Sequence, residues 1–134
     1  MSSQQKSNWI NITLWILQGL LALAFGMAGF LKSTAPMEQL AQNGMTFVNE
    51  YSVGMVRFIG ITEILGALGL ILPAVLRIKP ILTPLAALGF TIIMVLAAVQ
   101  HISSNEPIIA NIVFLVICIF IIWGRLSLAP IKSK

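Results

Sequence analysis

The chain has 134 residues, of which 58% are hydrophobic and only 9% are charged, and its formal net charge is +4. An ordinary soluble domain carries roughly 25% charged residues. The few charges of this chain cannot cover a water-exposed surface. The composition therefore excludes a soluble enzyme, a secreted disulfide scaffold and a disordered binding protein. It predicts a polytopic membrane protein.

Four apolar runs are long enough, or nearly so, to cross the roughly 30 Å hydrocarbon core of a bilayer as helices. The predicted helices cover about residues 9–31, 53–76, 81–99 and 108–123. None of these runs alternates polar and apolar residues as a barrel strand would. The second run contains Arg57 and Glu63, which would also be consistent with a buried helix of a soluble protein that carries an ion pair. That alternative fits poorly, because the other three runs contain no charge. The predicted fold is an all-α integral membrane four-helix bundle, a single domain over residues 1–134.

The basic residues predict the orientation of this bundle. If both termini are cytoplasmic, the inner side carries six of them: Lys6, Arg77, Lys79, Arg125, Lys132 and Lys134. The outer loops carry only Lys32, which is a strong positive-inside bias. This bias explains the net charge, and no basic run with interleaved aromatic residues indicates a nucleic-acid partner.

The start of the chain leaves one alternative open. Lys6, the apolar stretch after it and residues 22–24 (Ala-Leu-Ala) are similar to a signal peptide with a small-residue cleavage site. The apolar stretch nevertheless continues to Leu31, and Asn11 and Gln18 lie within it. These features favour an uncleaved first helix.

The connection between the first two helices is the one sizeable extramembrane segment. Thr34 is predicted to cap a short helix that has Pro36 in its first turn and ends at Gly44. Its apolar residues, including Leu40, would share one face. The segment is therefore expected either to lie on the outer surface of the bilayer or to form a partly ordered connector.

Arg57 and Glu63 are the two charged residues that lie inside a predicted span. A charge in the bilayer costs roughly 2.5 to 3.5 kcal/mol on insertion scales. Six residues separate them by about 9 Å along a helix and about 240° around it. They therefore do not form the usual i, i+4 pair, and each is expected to find its partner on another helix or in water.

Counting residues along the helices brings further polar side chains to related depths. Arg57, His101 and Asn111 fall near the outer face, and Gln18 falls near the level of Glu63. This arrangement predicts a polar pocket open to the outside. The alternative, that these groups only tie the helices together, is favoured for Gln18 and Asn111. For Glu63, a carboxylate near the bilayer midplane favours a proton acceptor or a ligand for a polar headgroup.

Small residues predict where two helices approach closely. The second helix contains Gly60, Gly66 and Gly69, and the first could supply a matching face through Gly26 and Gly29. Tight packing is the expected role of these glycines, and they leave room beside Glu63.

The residue types that are scarce limit the chemistry. Cys118 is the single cysteine and His101 the single histidine, so there is no dithiol pair, no Cys-rich metal site and no bis-histidine haem site. No phosphate-binding glycine loop or nucleophile elbow is present. We therefore predict no metal, and any catalysis by this chain alone would rest on Arg57, Glu63 and His101.

These polar residues and the apolar blocks around them resemble the DoxX-like family. The similar segments are residues 15–18, 25–32, 57–73 and 94–101, and the block from Arg57 through Glu63 to Pro73 is the most specific. Carried over position by position, the polar signature of the family falls on Gln18, Lys32, Arg57, Glu63 and His101. The resemblance implies a small bacterial inner-membrane protein of four helices, linked in some members to quinone-dependent oxidation or thiol stress.

Three functions compete on this basis. The first is an accessory or small-molecule-binding subunit of a redox-linked membrane system, with a quinone or lipid as ligand and with membrane redox proteins or further copies of itself as partners. The second is a membrane enzyme acting on a lipophilic substrate, with Glu63 and His101 as acid and base. The third is a small transporter component in which Glu63 carries a proton. A purely structural partner of a larger complex also remains open.

Overall fold

The computed structural model describes residues 2–133, and these residues contain helices and no strand. The elements are α1 (Ser3–Thr34), α2 (Met37–Gln42), a 3-10 helix (Thr46–Asn49), α3 (Val53–Leu76), α4 (Leu82–Ser103), α5 (Ile109–Trp123) and a π-helical turn (Gly124–Leu128) that continues α5. This architecture confirms the predicted all-α class.

Four of these helices are long and apolar enough to cross a membrane: α1, α3, α4, and α5 together with its π-helical turn. Each exposes large apolar side chains, such as Leu23, Phe58, Leu96 and Val116, which are at least 60% exposed. A soluble monomer rarely exposes apolar surface over such an area, so these faces contact lipid. The prediction of an integral membrane four-helix bundle is confirmed.

Helices α1 and α4 extend beyond the apolar runs from which they were predicted. The first begins at Ser3 because Ser2 and Gln5 form a capping box, in which the Ser2 hydroxyl accepts from the Gln5 amide and the Gln5 side chain accepts from the Ser2 amide. Helix α4 continues past residue 99 to Ser103 and carries His101 in its last turn. Helical hydrogen bonding does not require apolar side chains, so the polar ends remain helical.

Helices α1 and α3 form the most extensive contact of the bundle, and α4 packs against both α3 and α5. At the α1–α3 contact, a Cβ added to Gly29 would lie 2.6 Å from the Gly60 carbonyl oxygen, and one added to Gly60 would lie 2.7 Å from the Gly29 oxygen. The two backbones therefore touch at these glycines. Gly66 faces α4 instead, where a Cβ would lie 2.5 Å from the ring of Phe90.

The segment between α1 and α3 folds back onto the bundle. Helix α1 continues through Thr34, whose hydroxyl donates to the Phe30 carbonyl at 2.8 Å, and the N-cap of α2 is Pro36. The predicted Thr34 cap is therefore wrong, because that residue still belongs to the preceding helix. Gly44 has a φ of +94°, which favours glycine at the turn after α2.

The apolar side of α2 packs against protein. Leu40 is fully buried in a cluster with Val48 and Val56. The end of this segment is also tied to α4, since Gln100 donates to the Glu50 carboxylate at 2.5 Å and accepts from the Tyr51 hydroxyl at 3.0 Å. Residues 35–52 therefore cover one end of the bundle, and we call them the covering segment.

The Gly29–Gly60 contact yields a stability prediction. We expect Gly29→Ala to lower the thermal unfolding temperature of the detergent-solubilised protein, at a cost of about 1 to 3 kcal/mol, because its methyl group would overlap a backbone oxygen. Gly19→Ala is the control, since a Cβ there meets nothing within 4 Å and lies in the same helix. Equal unfolding temperatures for the two variants would contradict the close approach of α1 and α3.

Candidate functional site

Buried charges meet where the end of α1 packs against α3. The Lys32 ammonium lies 2.5 Å from Glu63 Oε1, and the two side chains are 14% and 1% exposed. We call Lys32, Arg57 and Glu63 the Lys32 cluster. Glu63 thus finds its partner on another helix, one of the two outcomes expected from the sequence.

Arg57 joins this cluster through the backbone. Its Nη1 donates to the Lys32 carbonyl oxygen at 2.8 Å. That carbonyl belongs to the last turn of α1, where no residue further along the helix supplies an amide donor. Arg57 therefore caps the end of α1, and its positive charge lies at the negative end of that helix dipole.

The glycine contact explains why Lys32 reaches Glu63. A Cβ on Gly60 would lie 2.8 Å from the Lys32 Cβ, so the Lys32 backbone is level with Gly60. Glu63 lies three residues further along α3, which is about 4.5 Å deeper in the bundle. A lysine near a helix end ordinarily extends its ammonium towards water. Here the ammonium instead extends inward to the carboxylate.

The second carboxylate oxygen of Glu63 has no partner. Oε2 is buried, and no hydrogen-bond donor reaches it among residues 2–133. A buried acceptor without a partner costs roughly 1 to 3 kcal/mol, and more when it is charged. The cluster therefore presents an unsatisfied acceptor beside the Lys32 ammonium.

An aromatic ring from the covering segment lies over the cluster. The Lys32 ammonium is 5.6 Å from the ring centroid of Phe47, which belongs to the 3-10 helix. A cation at this distance over an aromatic face is attracted by the electrons of the ring. The segment before α3 therefore contributes directly to the surroundings of the ion pair.

A second polar cluster lies at the opposite end of the bundle. Arg125, only 4% exposed, donates through Nε to Gln18 Oε1 at 2.6 Å and through Nη1 to Asn11 Oδ1 at 2.7 Å. Its Nη1 also donates to the Ala129 carbonyl at 2.8 Å, and its guanidinium carbon lies 5.4 Å from the Trp15 ring centroid. We call Asn11, Gln18 and Arg125 the Arg125 cluster.

Gln18 links this cluster to α3. Its amide donates to the Leu70 carbonyl at 2.8 Å, near Pro73, which has no N–H to offer the carbonyl of Gly69. The Thr83 hydroxyl lies 3.4 Å from both the Gly69 and the Leu70 oxygens. These contacts join α1, α3 and α4 at one level, and they fit the helix-joining role favoured for Gln18.

The remaining predicted site residues lie elsewhere. His101 Nδ1 is 3.5 Å from Glu106 Oε2, an ion-pair distance without hydrogen-bond geometry. Asn111 is buried, with its amide 4.0 Å from the Met94 sulfur. Within residues 2–133, no hydrogen bond or ion pair joins Gln18, His101 or Asn111 to the Lys32 cluster. The same residues contain no group of three His, Cys, Asp or Glu side chains that could hold a metal ion.

The charge distribution explains two members of the clusters, Lys32 and Arg125, as topology-setting residues. The positive-inside pattern predicts Lys32 in an outer loop and Arg125 in an inner loop. A signal for Arg125 was present, because Asn11 and Gln18 are seven residues apart and so lie on one face of α1, two turns apart. For Lys32, the signal was its place in the polar signature of the family that the sequence resembles.

The buried ion pair yields a double-mutant prediction. We expect Lys32→Met and Glu63→Met each to destabilise the protein, by up to about 3 to 5 kcal/mol, because each leaves a buried charge without its partner. We expect the double variant Lys32→Met/Glu63→Met to be more stable than either single variant. Thermal unfolding in detergent measures all three, with Glu38→Gln as a control at an exposed carboxylate. Additive losses in the double variant would contradict the pairing.

The comparisons with known proteins identify the family of this chain. The chain matches no curated protein and no solved structure at a significant level. A family model described as the DoxX-like family matches residues 16–123, which include Lys32, Arg57 and Glu63. Since the match covers most of the chain, this protein belongs to the DoxX-like family.

Proposed function

We propose that this membrane protein is a small-molecule-binding accessory subunit of a redox-linked system, and that its ligand is a quinone or a lipid with a polar headgroup. The observation that carries the proposal is the buried, unpartnered Oε2 of Glu63 beside the Lys32 ammonium. A buried charged acceptor is costly in a membrane and marks a functional site in preference to mere adhesion.

The Lys32 cluster combines groups that suit such a headgroup. The Glu63 carboxylate accepts a hydrogen bond from a hydroxyl group, as a hydroquinone or a lipid hydroxyl offers. The Lys32 ammonium has three donors and can hold a carbonyl or phosphate oxygen. Two cations and one carboxylate leave the cluster with a net positive charge, which favours a ligand that carries partial negative charge.

An apolar groove on α1, which ends at the residue before Lys32, suits the tail of an amphiphilic ligand. It has a volume of about 350 Å³ and is lined by α1 residues that include Met27, Phe30 and Leu31. Leu31 directly precedes Lys32, so the groove leads along α1 to the outer end where the cluster lies. A polar headgroup would then lie at the Lys32 cluster, and the apolar chain of the same ligand would lie along this groove.

No contact favours the enzymatic alternative. Glu63 pairs with Lys32, and His101 lies near Glu106, so within the described part of the chain these two residues make no contact that would let them act as an acid–base pair. The binding role needs only the Lys32 cluster.

The proposed location is the bacterial cytoplasmic membrane, with both termini inside. Helix α1 begins, α3 ends, α4 begins and α5 ends at one end of the bundle, and the basic residues Lys6, Arg77, Lys79 and Arg125 lie there. This distribution supports the orientation through the positive-inside rule. The Lys32 cluster then lies in the outer half of the bilayer, and partner redox proteins would contact the lipid-facing helices.

Cysteine labelling tests the orientation. In intact bacteria, we expect a membrane-impermeant maleimide to modify Gln42→Cys, which lies on the covering segment, and not Ser127→Cys at the opposite end. Both positions are exposed, and the native Cys118 is fully buried, so the unmodified protein serves as the background control. The reverse labelling pattern would place the termini outside and overturn the orientation.

Ligand retention tests the function. We expect protein purified in lipid particles to carry an enriched quinone or lipid, and Glu63→Gln to lower its abundance about tenfold or more, because a hydrogen bond to a charged acceptor is worth about 1.5 to 3 kcal/mol. Mass spectrometry of extracted small molecules measures the change, with Glu38→Gln as the control at an exposed carboxylate.

The double variant Lys32→Met/Glu63→Met separates ligand loss from misfolding. Both charges of the ion pair are removed together, so neither is left buried without its partner. Loss of the ligand in this stable variant as well would support the proposal. Retention of the same molecules by Glu63→Gln as by the unmodified protein would show that Glu63 does not bind them.

A further inference from the structure

A polar groove opens at the end of the bundle opposite the Lys32 cluster. It has a volume of about 660 Å³ and lies between the first turns of α1, the end of α3 and the segment after the π-helical turn. Its lining includes the side chains of Asn8, Asn11 and Trp15 on α1 and two cations, Arg77 and Lys132. The groove is therefore built from three separate parts of the chain.

The charged side chains at this end of the bundle are all positive. The four acidic side chains of the protein are Glu38, Glu50, Glu63 and Glu106, and each lies in the covering segment, in the α4–α5 connection or in the outer half of α3. No glutamate or aspartate lines the groove. Among residues 2–133, neither Arg77 nor Lys132 forms an ion pair with a carboxylate. The groove thus concentrates positive charge that no acidic side chain neutralises.

A buried cation reinforces this charge from behind the groove. Arg125 donates to Asn11 and to the Ala129 carbonyl, and it packs over Trp15, so it contacts three of the lining residues. Its Nη2 is buried and has no hydrogen-bond acceptor among the described residues. A guanidinium that is 4% exposed and incompletely satisfied raises the positive potential of the adjacent groove.

A hydrogen bond joins two sides of the groove. Arg77 Nε donates to the Lys132 carbonyl at 2.9 Å, so the end of α3 holds the C-terminal segment in place. Because this bond uses the backbone of Lys132, the ammonium of that residue is not needed to form it. The two cations are therefore brought together by the fold without depending on each other's charge.

We infer that this groove binds an anionic membrane lipid through the phosphate of its headgroup. Basic pockets between transmembrane helices recognise such headgroups, and surface lysines and arginines attract anionic lipids at membrane interfaces. The amides of Asn8 and Asn11 supply further donors for phosphate or glycerol oxygens. Exposed Trp9 and Trp123 flank the same end, where indole rings lie at the headgroup level of a bilayer. This site is distinct from the Lys32 cluster and does not depend on the function proposed for it.

The test compares two lysines at the same end of the protein. The full-length chain in detergent is titrated with phosphatidylglycerol or phosphatidylcholine, and bound lipid is counted by native mass spectrometry. We expect Lys132→Gln to weaken phosphatidylglycerol binding about fivefold, the effect of one cation near an anionic headgroup. We expect Lys79→Gln, which removes an equally exposed charge outside the groove, to bind as the unmodified protein does.

A second pair of variants checks the geometry. Arg77→Gln and Lys79→Gln both change exposed residues with a positive φ in the α3–α4 turn, and Arg77 alone lines the groove. We expect only Arg77→Gln to lose lipid. Equal losses in both variants would show general charge attraction, and no loss in Arg77→Gln and Lys132→Gln would show that the groove binds no lipid.

Two further arms of the titration identify the source of the phosphate. Equal retention of phosphatidylcholine and phosphatidylglycerol would overturn the requirement for an anionic headgroup. Displacement of phosphatidylglycerol by millimolar inorganic phosphate would show that the groove takes free phosphate, and the lipid assignment would be wrong. Persistence of the lipid in phosphate supports it.

Discussion

The contact between Gly29 and Gly60 is the constraint on which the buried charges depend. Only where two helix backbones touch can the Lys32 side chain extend along α3 to Glu63 and the Arg57 guanidinium reach the end of α1. Lipid tails are as apolar as leucine, so close packing of small residues is a main source of helix association in a membrane. The glycines thus set the distance at which the costly charges can neutralise one another.

The two polar clusters differ in which of their buried polar atoms lack a hydrogen-bond partner. The Arg125 cluster is nearly satisfied: Gln18 uses both ends of its amide, and Asn11 accepts from the same guanidinium, so α1, α3 and the end of α5 are tied together. The Lys32 cluster leaves the Glu63 Oε2 acceptor unpaired. A satisfied network stabilises the fold, whereas an unsatisfied acceptor in low dielectric gains from a ligand that donates to it. In the Arg125 cluster the unpaired group is instead a donor, the guanidinium Nη2, which adds positive charge beside the groove proposed to bind an anionic lipid.

The candidate site could be predicted only in part from the sequence. Arg57 and Glu63 stood out because charge inside an apolar run is expensive, and both do lie in the Lys32 cluster. The charge pattern does not single out their shared partner, Lys32, or the buried Arg125, since a basic residue at the end of an apolar run is ordinarily explained by topology. Lys32 is indicated only by the family resemblance. Depth counted along each helix also brought His101 near Arg57, but depth says nothing about which way a helix is rotated.

The sequence by itself determined the membrane class, the four spans and the all-α fold, because low charge and uninterrupted apolar length permit no other solution in a bilayer. It also indicated Gly29 and Gly60 for the α1–α3 contact, but Gly66 and Gly69, which it grouped with Gly60, face α4. Only the tertiary structure decided which polar groups meet, namely Lys32 with Glu63 and Arg125 with Gln18. The physical reason is that both the lipid face and the core face of these helices are apolar, so hydrophobic periodicity does not specify how each helix is turned.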